Sequence, residues 1–208
     1  MSYKRGLRSA ANAVAESEPK RLKKTTTVTT TDKDQQADAK SRSTEKSYWL
    51  FKAEPESRIV NGVDVKFSFD DLKTEHQATW DGVRNFEARN TMKKMNVGDL
   101  GFFYQSNCKI PGIVGILKVC KSAYPDSFDK KHPYYDPKSD PENPKWFMVD
   151  VEYVRPLKRL VSLQELKELV SKPHSPLNEM ALLRRSRLSV TPVREKEWDF
   201  ILQLAEEE

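Results

Sequence analysis

Cysteine is scarce in this chain of 208 residues: only Cys108 and Cys120 occur, and neither has a Cys or His at zinc-ligand spacing. A disulfide between the two is open on paper, but no signal peptide is visible, so a reduced compartment is the expectation. The three histidines, His76, His132 and His174, are scattered, and no metal site is expected. Seven glycines form neither a Gly-x-Gly-x-x-Gly fingerprint nor a Walker loop. Gly-x-Ser-x-Gly and His-Glu-x-x-His are missing too, and no paired carboxylates stand out on one strand. Enzymatic readings therefore start low, and no cofactor is expected. No apolar run approaches ~18 residues, so no membrane partner is expected. There is no internal repeat.

What is present divides into two parts. Residues 1–46 are rich in Lys, Thr, Ser and Asp and too poor in large apolar residues to offset their ordering entropy; they read as a disordered tail. The tail holds 11 basic and 6 acidic residues, whereas residues 47–208 hold 25 of each. The whole excess of +5 thus sits on the tail. A neutral domain is no general polyanion clamp; nucleic-acid binding would need a local patch and a pocket. Within the tail, Lys20, Arg21, Lys23 and Lys24 fit a nuclear localisation signal, with a solvated charge run as the plainer alternative.

Along the domain, "YWLFK" from Tyr48 reads as a strand ended by Pro55. Ser68 with Asp71 three residues on signals a helix start. "RNFEARNTMKKM" reads as one amphipathic helix stopped at Gly98. "LGFFYQS" and "PGIVGILKVCKSAY" read as paired strands around a loop at 107–111. Residues 132–144 carry four prolines in thirteen positions and must be irregular. "WFMVDVEYVRPL" alternates as a half-buried strand closed by Pro156. Ser162 and Glu165 predict a capped helix, "SPLNEMALLRR" another with Pro176 in its first turn, and Thr191-Pro192 the start of a terminal helix. The order favours a small curved mixed sheet or partial barrel flanked by helices.

Polar-aromatic segments recur at predicted element ends: "WLFKAEP", "TWDGVRN", "YQSN", "PKW" and "RLSV". With "FEARNTMKKMNVGD", "PGIVGILKV", "AYPDSF" and "WFMVDVEYVR" in order over essentially all of residues 47–204, the series resembles the EVE domain, and within it the thymocyte nuclear protein family. Two departures show: Ala53 stands where the family usually has Ser, and Gln105 where it has His. The resemblance implies an α+β, PUA-like mixed β-barrel over residues 47–208, related to the YTH, ASCH and PUA domains. It also implies a pocket for a modified nucleobase, with modified cytosine in DNA (5-methyl- or 5-hydroxymethylcytosine) the family's proposed ligand. RNA stays open as a partner, and oligomeric state is not legible.

Such a pocket needs an aromatic wall and directed polar groups for the base edge, because hydrogen bonds discriminate where area does not. Trp80, set on a turn, is expected as one wall and Trp146 as the facing one. Lys52, Ser106, Asn107 and Ser189 are expected to read polar atoms. Arg84 and Asn85, at a helix start with free N–H groups, suit a phosphate or carbonyl. Trp49, Glu54, Asp81, Val83 and Leu188 complete the expected pocket, and Arg187 joins Arg84 as a phosphate contact. Each has a plainer reading: Trp80, Trp49 and Trp198 as core, Arg84 as an ion pair, Asp81 as a turn cap, Asn107 as a turn former, Arg187 as a solvated face, and Lys52 with Glu54 as each other's partner. The leading function is a nuclear, non-catalytic reader of a modified base. The alternatives are a nucleotide-directed enzyme using Lys52 and Glu54 as acid and base, and a protein-interaction module using helix 162–170 and the Pro-rich loop.

Overall fold

The structure, a computed structural model, describes residues 46–207. The tail and its basic cluster at positions 20–24 lie outside the described residues. Strand β1 (Tyr48–Ala53) alternates, sending Trp49, Phe51 and Ala53 into one apolar cluster and Leu50 into another. Both faces are buried, which is why the segment has no polar stripe. A small hairpin follows, β2 (Ile59–Val60) and β3 (Val63–Asp64), joined by Asn61 and Gly62 with both φ angles positive. Helix α1 (Phe69–Glu75) starts as its sequence predicts: the Ser68 hydroxyl accepts from Asp71 N–H and the Asp71 carboxylate takes Ser68 N–H.

The chain then departs from expectation. Residues Gln77–Trp80 form a strand, β4, so Trp80 ends a strand and the turn comes two residues later, at Gly82 with φ +72°. Helix α2 (Phe86–Met92) is shorter than the pattern suggests, capped at Asn85 and finished by Lys93. Strands β5 (Leu100–Gln105) and β6 (Gly112–Pro125) pair antiparallel as expected. Strand β7 (Phe147–Ser162) does not stop at Pro156. Pro156 stands opposite Gly115 beside a register shift, where a missing N–H is tolerated. Helix α3 (Leu163–Val170) takes its cap from Ser162, but the Glu165 carboxylate turns to Arg159 and not back to the cap. Helix α4 is only Ala181–Arg184, and Pro176 lies before it. Thr191 and Pro192 do not open a helix: they belong to β8 (Val190–Val193), and the terminal helix α5 (Glu195–Glu206) follows.

Six strands form one mixed sheet in the order β4-β7-β6-β5-β1-β8, with β1 and β5 parallel and the other pairs antiparallel. Strands β4 and β8 lie at opposite edges and do not pair, so the sheet is open and the expected barrel is not closed. Leu72 of α1 and Ala88 and Met92 of α2 join the cluster on one face. Leu166 of α3, Leu182 of α4, and Trp198, Ile201 and Leu204 of α5 join the cluster on the other. Trp198 is core, as its plainer reading has it, stacked 4.0 Å from Phe102 and 4.5 Å from Tyr48. Cys108 and Cys120 are free thiols. No described helix is long and apolar enough to cross a membrane.

Candidate functional site

Because β1 and β5 are parallel, their C-terminal ends leave the sheet side by side. There the two exits are stitched together: Ser106 donates from both N–H (2.8 Å) and Oγ (3.1 Å) to the Ala53 carbonyl. Asn107, in the left-handed region with φ +52°, donates from Nδ2 to Glu54 Oε1 at 2.9 Å. A third segment, 186–189, is held against β1 by Lys52, whose N–H reaches Ser189 O at 2.8 Å and whose ammonium reaches Ser186 O at 2.7 Å. Between these ends and the end of β4 opens a cleft of about 510 Å³, a size that suits a nucleoside-sized ligand.

The cleft has an apolar floor and a polar rim. Phe67, Trp80, Val83 and Leu188 supply the first; Lys52, Glu54, Ser106, Asn107 and Arg187 border the second, with Asp81 and Ser189 between. Burial pulls the Lys52 ammonium below its ordinary pKa and pushes the Tyr104 phenol up to about 12, so its hydroxyl stays protonated at neutral pH. Glu54 does not pair with Lys52; its carboxylate takes Arg58 Nε at 2.5 Å.

Trp80 is 1% exposed and closes the cleft from below. Phe51, Phe67 and Phe103 meet it edge-on at 5.1, 5.9 and 5.7 Å. Trp146 does not face it. That indole lies outside the cleft, stacked on Phe86 at 5.0 Å, with Nε1 donating to Asp136 at 2.7 Å. The expected pair of facing indoles is therefore not formed: Trp146 packs instead on Phe86, the first residue of α2. Trp49 is core, as its plainer reading has it, and its Nε1 donates to buried Asp99 at 2.9 Å.

Two of the N–H groups at the helix start are already taken. Asn85 Oδ1 accepts from Glu87 and Ala88 N–H at 2.9 and 3.1 Å. Arg84 also stays outside the lining: its Nη1 contacts Asp126 Oδ2 at 2.5 Å and its Nε donates to Tyr134 O at 2.6 Å. Asp126 is 3% exposed and the Arg84 side chain 20%, so the pair is partly buried with the carboxylate on the inner side. Tyr134 N–H donates to His132 Nδ1, which puts the imidazole proton on Nε2, 3.3 Å from Asp81 Oδ2. Folding thus brings Asp81, Asp126 and His132 within 4.8 Å of one another, a gathering no sequence spacing announces. Arg84 and the Gly82 N–H (3.1 Å) already occupy Asp126 Oδ2, so the guanidinium already supplies positive charge at this cluster.

Several lining residues escaped the sequence reading, Phe67, Arg58 and Tyr134 among them. Tyr134 lies against Gly82, and Arg58 donates from Nη2 to the Tyr134 hydroxyl at 2.9 Å. Both sit in loops without periodicity; the only signal was the aromatic doublet Tyr134-Tyr135 inside proline-rich text.

A family model described as "EVE domain" matches residues 47–204. Human thymocyte nuclear protein 1 is 52% identical over 169 residues, covering 78% of this chain and 75% of its own. A crystal structure of human THYN1 protein in complex with 5-methylcytosine containing DNA aligns with a TM-score of 0.76 at 50% identity, over 78% of this chain and 99% of that one. A Pseudomonas syringae protein of known structure aligns with a TM-score of 0.67 at 40% identity, over 76% of this chain and 99% of that one.

Proposed function

The chain belongs to the EVE domain family, and from that membership we propose that it is a non-catalytic reader holding a modified nucleobase, 5-methylcytosine in DNA foremost, in the cleft at the ends of β1, β4 and β5. One observation carries the reading: this cleft, part apolar and part polar, occurs in a chain half identical to a protein that has been crystallised with 5-methylcytosine containing DNA. The chemistry agrees. An extruded cytosine needs donors and acceptors along its edge, which Ser106, Asn107, Lys52 and the Ser189 backbone supply. Its 5-methyl group needs an apolar seat, which Val83, Phe67 and Leu188 supply. Tyr134 is the ring on the cleft wall that takes the place expected of Trp146. Arg187 on the rim is the phosphate contact; Arg84 is a positioning residue that acts through Asp126 and Tyr134.

The absence of catalysis is part of the proposal. The acid–base alternative pairs Lys52 with Glu54, whereas Glu54 contacts Arg58 and Asn107. The proposal extends to the fold, a PUA-like sheet that stays open. It also extends to a nuclear location, in keeping with the name of the human relative and with Lys20, Arg21, Lys23 and Lys24 as the address.

The test is fluorescence polarisation with oligonucleotides carrying cytosine, 5-methylcytosine, 5-hydroxymethylcytosine or N6-methyladenine at fixed salt. A methyl group in an apolar seat is worth ~1–3 kcal/mol, so a preference of about tenfold or more for 5-methylcytosine is expected. Equal constants across the four probes would overturn the reading.

A further inference from the structure

Phe86 is 53% exposed at the first turn of α2, an unusual place for a large apolar ring. It is not isolated. Trp146 stacks on it with planes 28° apart, and the Arg89 guanidinium lies 4.8 Å from its centroid. The Lys145 ammonium lies 5.7 Å from Phe86 and 5.1 Å from Trp146. Beside them the Lys93 ammonium covers Phe147 at 4.4 Å.

The charges here are not balanced internally. Lys145 has Asp136 at 3.1 Å. Arg89 donates only to neutral oxygens, those of Lys145 O and the Asn90 side chain, and among the described residues neither Arg89 nor Lys93 has a carboxylate within ion-pair distance. The three hydrogen bonds fix the Arg89 plane against the ring. A rigid, cation-decorated aromatic face with unspent positive charge matches a polymer that alternates flat π-systems with phosphates.

Its position adds direction. None of Phe86, Arg89, Lys93, Lys145 or Trp146 lines the cleft, yet the patch adjoins it. Val83, three residues before Phe86, is on the cleft floor, and Glu87 forms an ion pair with Arg185, next to the rim residues Ser186 and Arg187. A strand with one base in the cleft and its phosphate at Arg187 would run along this bridge onto Phe86.

Resting on the reader function above, we infer that Phe86, backed by Trp146 and flanked by Arg89 and Lys145, is a second nucleic-acid site: a stacking platform for a nucleotide of the same DNA strand, flanking the base in the cleft. It binds without regard to base identity, because every base offers a π-face. It therefore contributes affinity and not selectivity.

The experiment uses the full chain and single-stranded DNA twelve nucleotides long with one central 5-methylcytosine or cytosine, alongside the corresponding mononucleotides, which have no flanking nucleotide to stack. Phe86→Ala is expected to weaken both long probes by the same factor, roughly tenfold. It should leave their ratio and the mononucleotide constants unchanged, while Phe86→Tyr keeps near-parental affinity. Since Phe86 is more than half exposed, the melting temperature should hold. As a second readout that needs no variant to fold, 2-aminopurine is walked through the flanking positions. One position should lose its emission on binding to the parent protein. Unchanged long-probe affinity in Phe86→Ala, or no quenched position, overturns the platform even if methyl preference persists. Loss of methyl preference in the parent would instead overturn the reader reading.

Discussion

Tyr134 rests on Gly82 so closely that a Cβ built on the glycine would lie 2.5 Å from Tyr134 Cδ2. The glycine also sits at φ +72°, where an L side chain is strained whatever the space around it. Gly82→Ala is therefore expected to push the Tyr134 ring off the cleft wall. It should lower stability by more than about 1 kcal/mol and weaken 5-methylcytosine DNA together with it. A melting curve and a polarisation titration at a temperature well below the transition check this; a variant with parental values in both would show that Tyr134 moves freely.

Arg84 and Arg187 were both expected at phosphates, and the structure separates them. Arg84→Ala removes the guanidinium from an Asp126 side chain that is 2% exposed and leaves it, among the described residues, only the Gly82 and Ser127 N–H groups; breaking such a pair costs up to ~3–5 kcal/mol. It should show as a large fall in melting temperature. Arg187→Ala should leave the melt intact and reduce the slope of log affinity against log salt by about 1. Salt titrations of both variants decide the matter; a reduced slope for Arg84→Ala with an unchanged melt would reverse the assignment.

Trp49→Phe keeps the ring in the core but removes the indole N–H from Asp99, which is 6% exposed. The carboxylate then keeps only the Asn96 N–H at 2.9 Å. A loss of ~1–3 kcal/mol is expected, measurable by denaturant unfolding. A negligible loss would mean that water enters beside Asp99.

The Trp146 indole, and after it the Lys138 N–H and the Lys145 ammonium, hold the Asp136 carboxyl down to about 2 from an ordinary 3.8. A folded-state value below the unfolded one means stability that is complete above the unfolded value and lost as pH falls through the folded one. The gap in stability between the parent and Asp136→Asn should thus be constant above pH about 4 and close between about pH 4 and 2. Trp146 fluorescence should shift in the same window. A gap independent of pH would mean the indole is held by packing on Phe86 alone.

Much of this fold was legible because local chemistry and tertiary context agree. The apolar density of β1, β5 and β6 and the caps at Ser68 and Ser162 leave little choice. The failures share a cause: a local signal satisfied by a different neighbour. Thr191-Pro192 has the form of a cap and a first helical turn, yet Pro192 sits opposite Trp49 on an edge strand, where its missing N–H has no partner to disappoint. Trp80-Asp81-Gly82 has the form of a turn, but Trp80 pairs with Val149 before the turn begins. The site divides in the same way. Lys52, Glu54, Ser106, Asn107 and Ser189 were found because strand ends are readable. Trp146 was misplaced and Tyr134 missed because the loop between β6 and β7 has no period from which to infer direction.

The two banks of the cleft belong to opposite ends of the domain: Lys52 and Ser186, joined by a hydrogen bond, are 134 positions apart. A ribosome releases the aromatic first strand long before its outer neighbour, Val190–Val193. Throughout that interval Tyr48–Ala53 has one margin without a backbone partner, a ready template for wrong pairing. The cleft is thus incomplete until Val190–Val193 has emerged and paired, and until then the first strand is a segment a chaperone has reason to hold.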